Sequence, residues 1–232
     1  MELGGNAPFI VFDDADIDAA VQGAIADKYR NAGQTCVCAN RILVDRKILP
    51  SFTQKFVEEV KKLKVGNGME ASVSIGPMIN KGAVNDTQTL VDESLEQGAT
   101  VELSGGPVKG EGSFYNPVVL SNVSNDMAIA QNEIFGPVAP IIPFDTEQEA
   151  IAIANSTEYG LAAYFYARDI GRIWRVAEQL DFGMVGINDG IISNAAAPFG
   201  GVKQSGNGRE GSKYGLDDYC EIKYLCMGGL GK

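Results

Sequence analysis

Pro137 to Ile187 read PVAPIIPFDTEQEAIAIANSTEYGLAAYFYARDIGRIWRVAEQLDFGMVGI, and this run alone sets the class of the structure. Three short apolar segments, Pro137 to Phe144, Ala162 to Ala167 and Met184 to Ile187, have strand length and strand composition. Between them lie two segments with helical character, Glu147 to Ala154 and Ile170 to Leu180. Strands separated by helices pair in parallel, because each helix carries the chain back along the sheet. The prediction is an α/β domain with a largely parallel, twisted sheet and helices on both faces.

The same rhythm extends upstream. Pro8 to Phe12 (PFIVF) suits a buried strand, and Asp13 and Asp14 behind it are candidate helix caps. Ile17, Val21, Ile25 and Tyr29 recur every four residues, so one apolar stripe runs along a helix that should end near Arg30, before Gly33. A strand is expected at Arg41 to Asp45. Phe52, Phe56, Val60 and Leu63 mark a second stripe, with Lys55/Glu59 and Glu58/Lys62 as outward charge pairs and Gly66 and Gly68 as its stop. A third helix is expected at Ala83 to Glu96, and strands at Thr100 to Leu103 and Pro117 to Leu120. Near the end, Tyr219 to Cys226 (YCEIKYLC) alternates like a strand, one that would add to a neighbouring subunit's sheet. Residues 1–216 therefore read as one domain and 217–232 as an oligomerisation arm.

Composition narrows the function classes. The 232 residues hold 19 Lys and Arg against 30 Asp and Glu, a net charge of -11. Such a surface repels phosphate backbones and anionic lipid, so neither nucleic acid nor membrane is an expected partner. No apolar run approaches a membrane span, and the chain opens without a signal-peptide pattern. An intracellular site, mitochondrial matrix or cytoplasm, is expected. The 4 cysteines are too few for a disulfide scaffold and read as reduced thiols. Histidine is absent. That removes Cys-His and Ser-His-Asp catalysis within the chain and the commonest metal ligand, and no metal site is expected.

Asn31 to Arg41 (NAGQTCVCANR) sets Cys36 and Cys38 in a loop between an expected helix and an expected strand, where reactive groups tend to sit. Taken alone, a cysteine there reads as a small buried hydrophobe. Three further motifs change this. ELGG at Glu2 to Gly5, GQTC at Gly33 to Cys36, EIFGP at Glu133 to Pro137 and PFGGVKQSG at Pro198 to Gly206 follow one another in an order that resembles the aldehyde dehydrogenase superfamily over essentially the whole chain. GNGREG at Gly206 to Gly211 matches the spacing of a dinucleotide-binding loop but follows no strand, and it is set aside.

The resemblance implies a chemistry. Cys36 would be the nucleophile that attacks an aldehyde carbonyl, and Glu2 the carboxylate base that activates water against the resulting thioester. Glu133 would bond the nicotinamide-side ribose of NAD or NADP, and Phe135 would pack near the nicotinamide ring. The main cofactor-binding domain and one oxyanion donor would come from a half that precedes ELGG in the family and is not in this sequence, so the isolated chain is expected to be inactive with NAD. The CVC doublet, Arg30 and the run around Ser193 resemble succinate-semialdehyde dehydrogenases. Arg30 and Ser193 would then meet the carboxylate at the far end of the substrate. On spacing alone Arg30 is equally a cation at a helix C-terminus, Ser193 a turn residue and Glu2 a loose terminal charge. Within that subfamily the doublet further implies a redox switch in which Cys36 and Cys38 join as a disulfide. A homo-oligomer is expected. Two other classes fit the residues: a cysteine-dependent hydrolase of activated esters, and a non-catalytic piece serving in assembly.

Overall fold

The computed structural model describes residues 1–229 and Gly231. β1 (Ala7–Val11) leads into α1 (Ile17–Lys28), a 3-10 turn over Arg30–Gly33, and β2 (Ala39–Asp45). α2 (Leu49–Val60) and α3 (Lys81–Glu96) precede β3 (Thr100–Leu103), the short β4 (Gly106–Pro107) and β5 (Tyr115–Asn116), and β6 (Val118–Ser121). A single-turn α4 (Ala128–Gln131) is followed by β7 (Val138–Phe144), α5 (Glu147–Asn155), β8 (Tyr159–Gly160) and β9 (Ala162–Tyr166). α6 (Ile170–Gln179), β10 (Met184–Ile187), β11 (Val202–Lys203) and a 3-10 helix at Tyr214–Tyr219 come last.

Seven strands form one sheet in the order β10-β9-β1-β2-β7-β6-β3. Every neighbouring pair is parallel except β3 with β6 at the edge. The step from β1 through α1 to β2 runs one way across the sheet, and the step from β9 through α6 to β10 runs the other. Right-handed crossovers therefore put the two sets of helices on opposite faces. All residues of β1, β2 and β9 are buried, as strands covered on both sides must be. Phe52 stacks on Phe56 at 5.6 Å, and Phe56 reaches Tyr29 of the α1 end at 6.2 Å. Such aromatics anchor each layer, and truncating one costs about 3–5 kcal/mol.

Several local expectations are corrected. The cap of α1 is Asp16, whose carboxylate accepts from Ala19 N at 3.1 Å. Asp13 and Asp14 instead receive Arg172, which also bonds Glu147 and sits 4.9 Å over the Phe12 ring. Lys55 pairs with Asp18 across the α1–α2 contact rather than with Glu59, and Lys62 takes Glu59 at 2.5 Å. Glu58 accepts from Gln54. α2 ends at Val60, so Leu63 lies in the turn beyond it. Tyr219 to Cys226 is no strand in the structure: the 3-10 helix ends at Tyr219 and the residues after it are exposed without ladder partners. An alternating segment becomes a strand only when an edge is offered to it.

Candidate active site

The motif residues gather at the amino ends of the central parallel strands. Gly5 precedes β1, Cys36 precedes β2, Glu133 precedes β7 and Leu161 precedes β9. A methyl group on Gly5 would lie 2.3 Å from the carbonyl oxygen of Cys36, so the ELGG and GQTC segments touch backbone to backbone and only glycine fits between them. Glu133 is drawn to the same place from its own loop. Its Oε1 accepts the Gly5 N–H at 3.1 Å, while Asn40 fixes the loop by donating to Asn132 O at 2.7 Å and accepting from Ile134 N at 2.9 Å. Beneath them Arg41 is fully buried, with Nη1 donating to Ile153 O and Nη2 to Asn6 O and Ala154 O.

The lead-in to the nucleophile is strained. Asn31, Ala32 and Gly33 all have left-handed backbones, with φ of 52°, 59° and 75°. For Ala32 this costs on the order of 1–2 kcal/mol, and such strain concentrates at functional loops. Cys36 then sits in a turn closed by Cys38 N donating to Thr35 O at 3.1 Å. Its thiol is half-buried and faced by the N–H groups of Cys36 and Val37. Burial pushes the thiol pKa up, and the charges of Glu2 and Glu133 push it further. Cys36, Glu2 and Glu133 thus form one electrostatic cluster.

Glu2 is held, not frayed. Met1 N donates to Asn207 O at 2.9 Å, Leu3 N donates to Ser205 O at 3.0 Å, and Glu2 bridges Gly206. Its carboxyl is raised above the usual range, first by burial and then by Glu210, with the N-terminal ammonium opposing. Burial likewise raises Glu133, against the Gly5 N–H and Lys28. GNGREG, set aside as a phosphate loop, closes here on Asp218: a methyl group on Gly208 would lie 2.0 Å from its Oδ2, and Arg209 N donates to the same oxygen at 3.0 Å.

Phe135 is exposed at 42% and held at φ 50°, at the mouth of a groove lined by Asn31, Gln34, Pro77, Met78 and Ile79. Gln34 ties this groove to the nucleophile loop: its Nε2 donates to Asn31 O at 2.9 Å and to Pro77 O at 3.3 Å, and its Oε1 accepts from Ile79 N at 2.8 Å. Arg30 begins the 3-10 turn, half-buried, and its Nε has no partner among the described residues. Ser193 is exposed on the loop after β10, which packs Gly190 against the Gly23 backbone of α1. No hydrogen bond joins it to Arg30 among the described residues. Cys38 is buried and unlinked to Cys36: both are free thiols, and Cys38 Sγ donates to Lys28 O at 3.4 Å. Among the described residues there is no cluster of metal-ligating side chains, and no helix is long and apolar enough to cross a membrane.

Gln34, Asn40, Asp27 and Tyr164 were not singled out from the sequence. The first lies inside GQTC, so the motif marked its place; Asp27 lies off the predicted apolar stripe, and no sequence signal marked it.

Comparison with known proteins places this geometry. The model of the aldehyde dehydrogenase family matches residues 1–225. Mouse mitochondrial succinate-semialdehyde dehydrogenase is 58% identical over 231 residues, covering 99% of this chain and 44% of the relative. The glutarate-semialdehyde dehydrogenase of Pseudomonas aeruginosa is 55% identical over 230 residues, covering 99% of this chain and 48% of the relative. The crystal structure of succinate-semialdehyde dehydrogenase from Burkholderia pseudomallei superposes with a TM-score of 0.95 at 57% identity, over 98% of this chain and 47% of that one. The chain spans less than half the length of these relatives. With the ELGG, GQTC and EIFGP segments meeting at one thiol and the family model spanning nearly every residue, this chain belongs to the aldehyde dehydrogenase family.

Proposed function

We infer that the chain is the cysteine-bearing half of an NAD(P)-dependent dehydrogenase that oxidises succinate semialdehyde to succinate. The observation that supports this most is the convergence of Cys36, Glu2 and Glu133 at the amino ends of β1, β2 and β7. As thiolate, Cys36 bonds the aldehyde carbon while the carbonyl π electrons move to oxygen, and the Cys36 N–H donates a hydrogen bond to that oxyanion. Glu133, one oxygen of which bonds Gly5, and the exposed Phe135 beside the groove are the residues here that fit a ribose and a nicotinamide ring. The cofactor, when bound, accepts the hydride that leaves the substrate carbon. Glu2 then takes a proton from water, whose oxygen displaces the Cys36 sulfur and releases the acid. A carboxyl raised by burial is the better base for that step.

Two of the relatives are named for aldehydes that end in a carboxylate, and Arg30, with an unpartnered Nε, supplies a cation six residues before the nucleophile. Arg30 and Ser193 are assigned to the distal carboxylate on this ground. The compartment is intracellular, matrix or cytoplasm, and the mouse relative is named mitochondrial. Assembly is assigned to the arm: Ile222, Tyr224, Leu225 and Met227 are all strongly exposed, an apolar surface suited to the sheet of a second copy.

The test is NADH or NADPH formation from succinate semialdehyde by a polypeptide in which this chain follows a dinucleotide-binding half, beside the chain alone. Turnover is expected only in the former and is lost in Cys36→Ala. Dehydrogenase activity that persists in Cys36→Ala overturns the reading.

A further inference from the structure

The last turn of α1 places charge inside the protein, directly behind the nucleophile loop. Asp27 has no exposed surface, and its Oδ2 accepts the N–H of Ala39 at 2.7 Å. Across the loop Tyr164, on β9 and equally buried, donates its hydroxyl to the carbonyl of Val37 at 2.8 Å. The two side chains also lie within electrostatic reach of each other. One side chain from a helix and one from the sheet therefore grip the peptide groups that follow Cys36, and Cys38 is tied to the Lys28 carbonyl between them.

We propose that Asp27 and Tyr164 are positioning residues: together they brace the Cys36 turn so that its backbone N–H points at the oxygen that becomes negative when the thiol attacks a carbonyl. The proposal rests on the reading of Cys36 as a carbonyl-attacking nucleophile. The turn has one internal hydrogen bond, from Cys38 N to Thr35 O, and its exit is free to swing unless the Val37 carbonyl and the Ala39 N–H are held. Rotation of that exit moves the Cys36 peptide, and an ångström of misplacement in such a site costs about a hundredfold in rate. A buried carboxylate spent on a single backbone N–H, with its Oδ1 unpartnered, is otherwise an expensive way to hold a loop. Neither residue touches the reacting atoms.

The experiment compares two reactions of Cys36 in the purified 232-residue chain, followed on the Cys36 peptide by mass spectrometry. Acetylation by p-nitrophenyl acetate builds an oxyanion; alkylation by iodoacetamide builds none. Asp27→Ala and Tyr164→Phe are expected to slow acetylation by about tenfold or more and alkylation by less than threefold, because only the first reaction needs the aimed N–H. Asp27→Asn, whose amide oxygen still accepts from Ala39, is expected to stay within threefold of wild type in both. Thermal unfolding above the assay temperature confirms that each variant is folded, and Tyr164→Phe serves if Asp27→Ala is not. Equal slowing of both reactions, or no change in either, overturns the brace. A wild-type Cys36 that alkylates but never acetylates overturns the nucleophile reading first, and the brace with it.

Discussion

The Cys38 thiol donates to the Lys28 carbonyl at 3.4 Å, so the second sulfur of the CVC doublet points beneath α1 while the first is half-buried at the site. Burial carries Cys38 to about 12 and leaves almost none of it ionised at pH 8. Iodoacetamide at pH 8 is expected to label Cys36 at least about tenfold faster than Cys38. A disulfide between them then requires Cys38 to leave the Lys28 carbonyl. Under mild peroxide the switch predicts a reversible loss of two hydrogens in the peptide spanning both thiols; equal labelling rates, or no such loss, would remove its basis.

Glu133 and Glu2 both oppose ionisation of Cys36, after burial itself. Taking a negative charge away lowers the thiol pKa and raises the thiolate fraction at any pH below it. Glu133→Gln is therefore expected to speed Cys36 alkylation roughly two- to fivefold at pH 8, with the gain vanishing at high pH where both proteins are ionised. A rate–pH profile that does not move would mean the carboxylate is too far away or too well screened.

Asp27 gives stability a pH dependence of definite sign. Burial lifts it from 3.8 to about 7, against the pull of the Ala39 N–H, Lys28 and Arg30. Between those values the folded chain keeps a proton that the unfolded chain has lost, so this contribution is whole below 3.8 and gone above 7. Asp27→Asn has no proton to lose. Its stability relative to wild type should rise by up to about 4 kcal/mol from pH 4 to pH 8, read from urea midpoints. Parallel curves for the two proteins would refute it.

Gly5→Ala drives a methyl group to 2.3 Å from the Cys36 carbonyl, whereas Gly76→Ala adds one in open space. The first is expected to cost about 2 kcal/mol or more and to slow Cys36 acetylation at least about tenfold; the second should stay within about 0.5 kcal/mol of wild type. Comparable stability in the two variants would contradict the close approach of the ELGG and GQTC segments.

Arg172 bonds Asp13, Asp14 and Glu147 while covering the Phe12 ring, and about a fifth of its side chain, 22%, is exposed. Arg172→Ala removes the cation that Asp13, Asp14 and Glu147 share but leaves them Lys47, the Arg168 and Asp169 N–H groups and Arg175, and with the packing lost over Phe12 it is expected to cost about 1–2 kcal/mol, with Cys36 alkylation unchanged. A loss of thiol reactivity at equal folding would show that the two ends of the sheet are coupled.

Much of this architecture was readable from residue order. Met184 to Ile187 has the predicted bounds, and α1, α2, α3, α5 and α6 fall within a few residues of theirs, because apolar spacing reports directly which face is buried. β4, β5, β8 and β11 escaped notice since two residues have no period. Tyr219 to Cys226 has a strand's alternation but forms no ladder, because alternation reports a periodic side-chain pattern and not the edge that a strand needs. In α1 the stripe of Ile17, Val21, Ile25 and Tyr29 says nothing of Asp27 and Lys28, which are buried in the structure. Asp27 finds its partner in the Ala39 N–H, twelve residues on, which no local pattern marks. Gln34 was visible as a motif letter, but its three bonds involve Asn31, Pro77 and Ile79, the last two more than forty residues away, and no local pattern foretells them.

Parallel α/β sheets commonly place their ligands beyond the carboxyl ends of the strands. Here that rim is occupied by charge: Asp13 and Asp14 after β1, Arg46 and Lys47 after β2, Asp145 after β7 and Arg168 after β9 are all engaged in ion pairs. Ion pairing and thiol chemistry thereby lie at opposite ends of one sheet. Charges on that rim can therefore be exchanged without altering what surrounds the thiol.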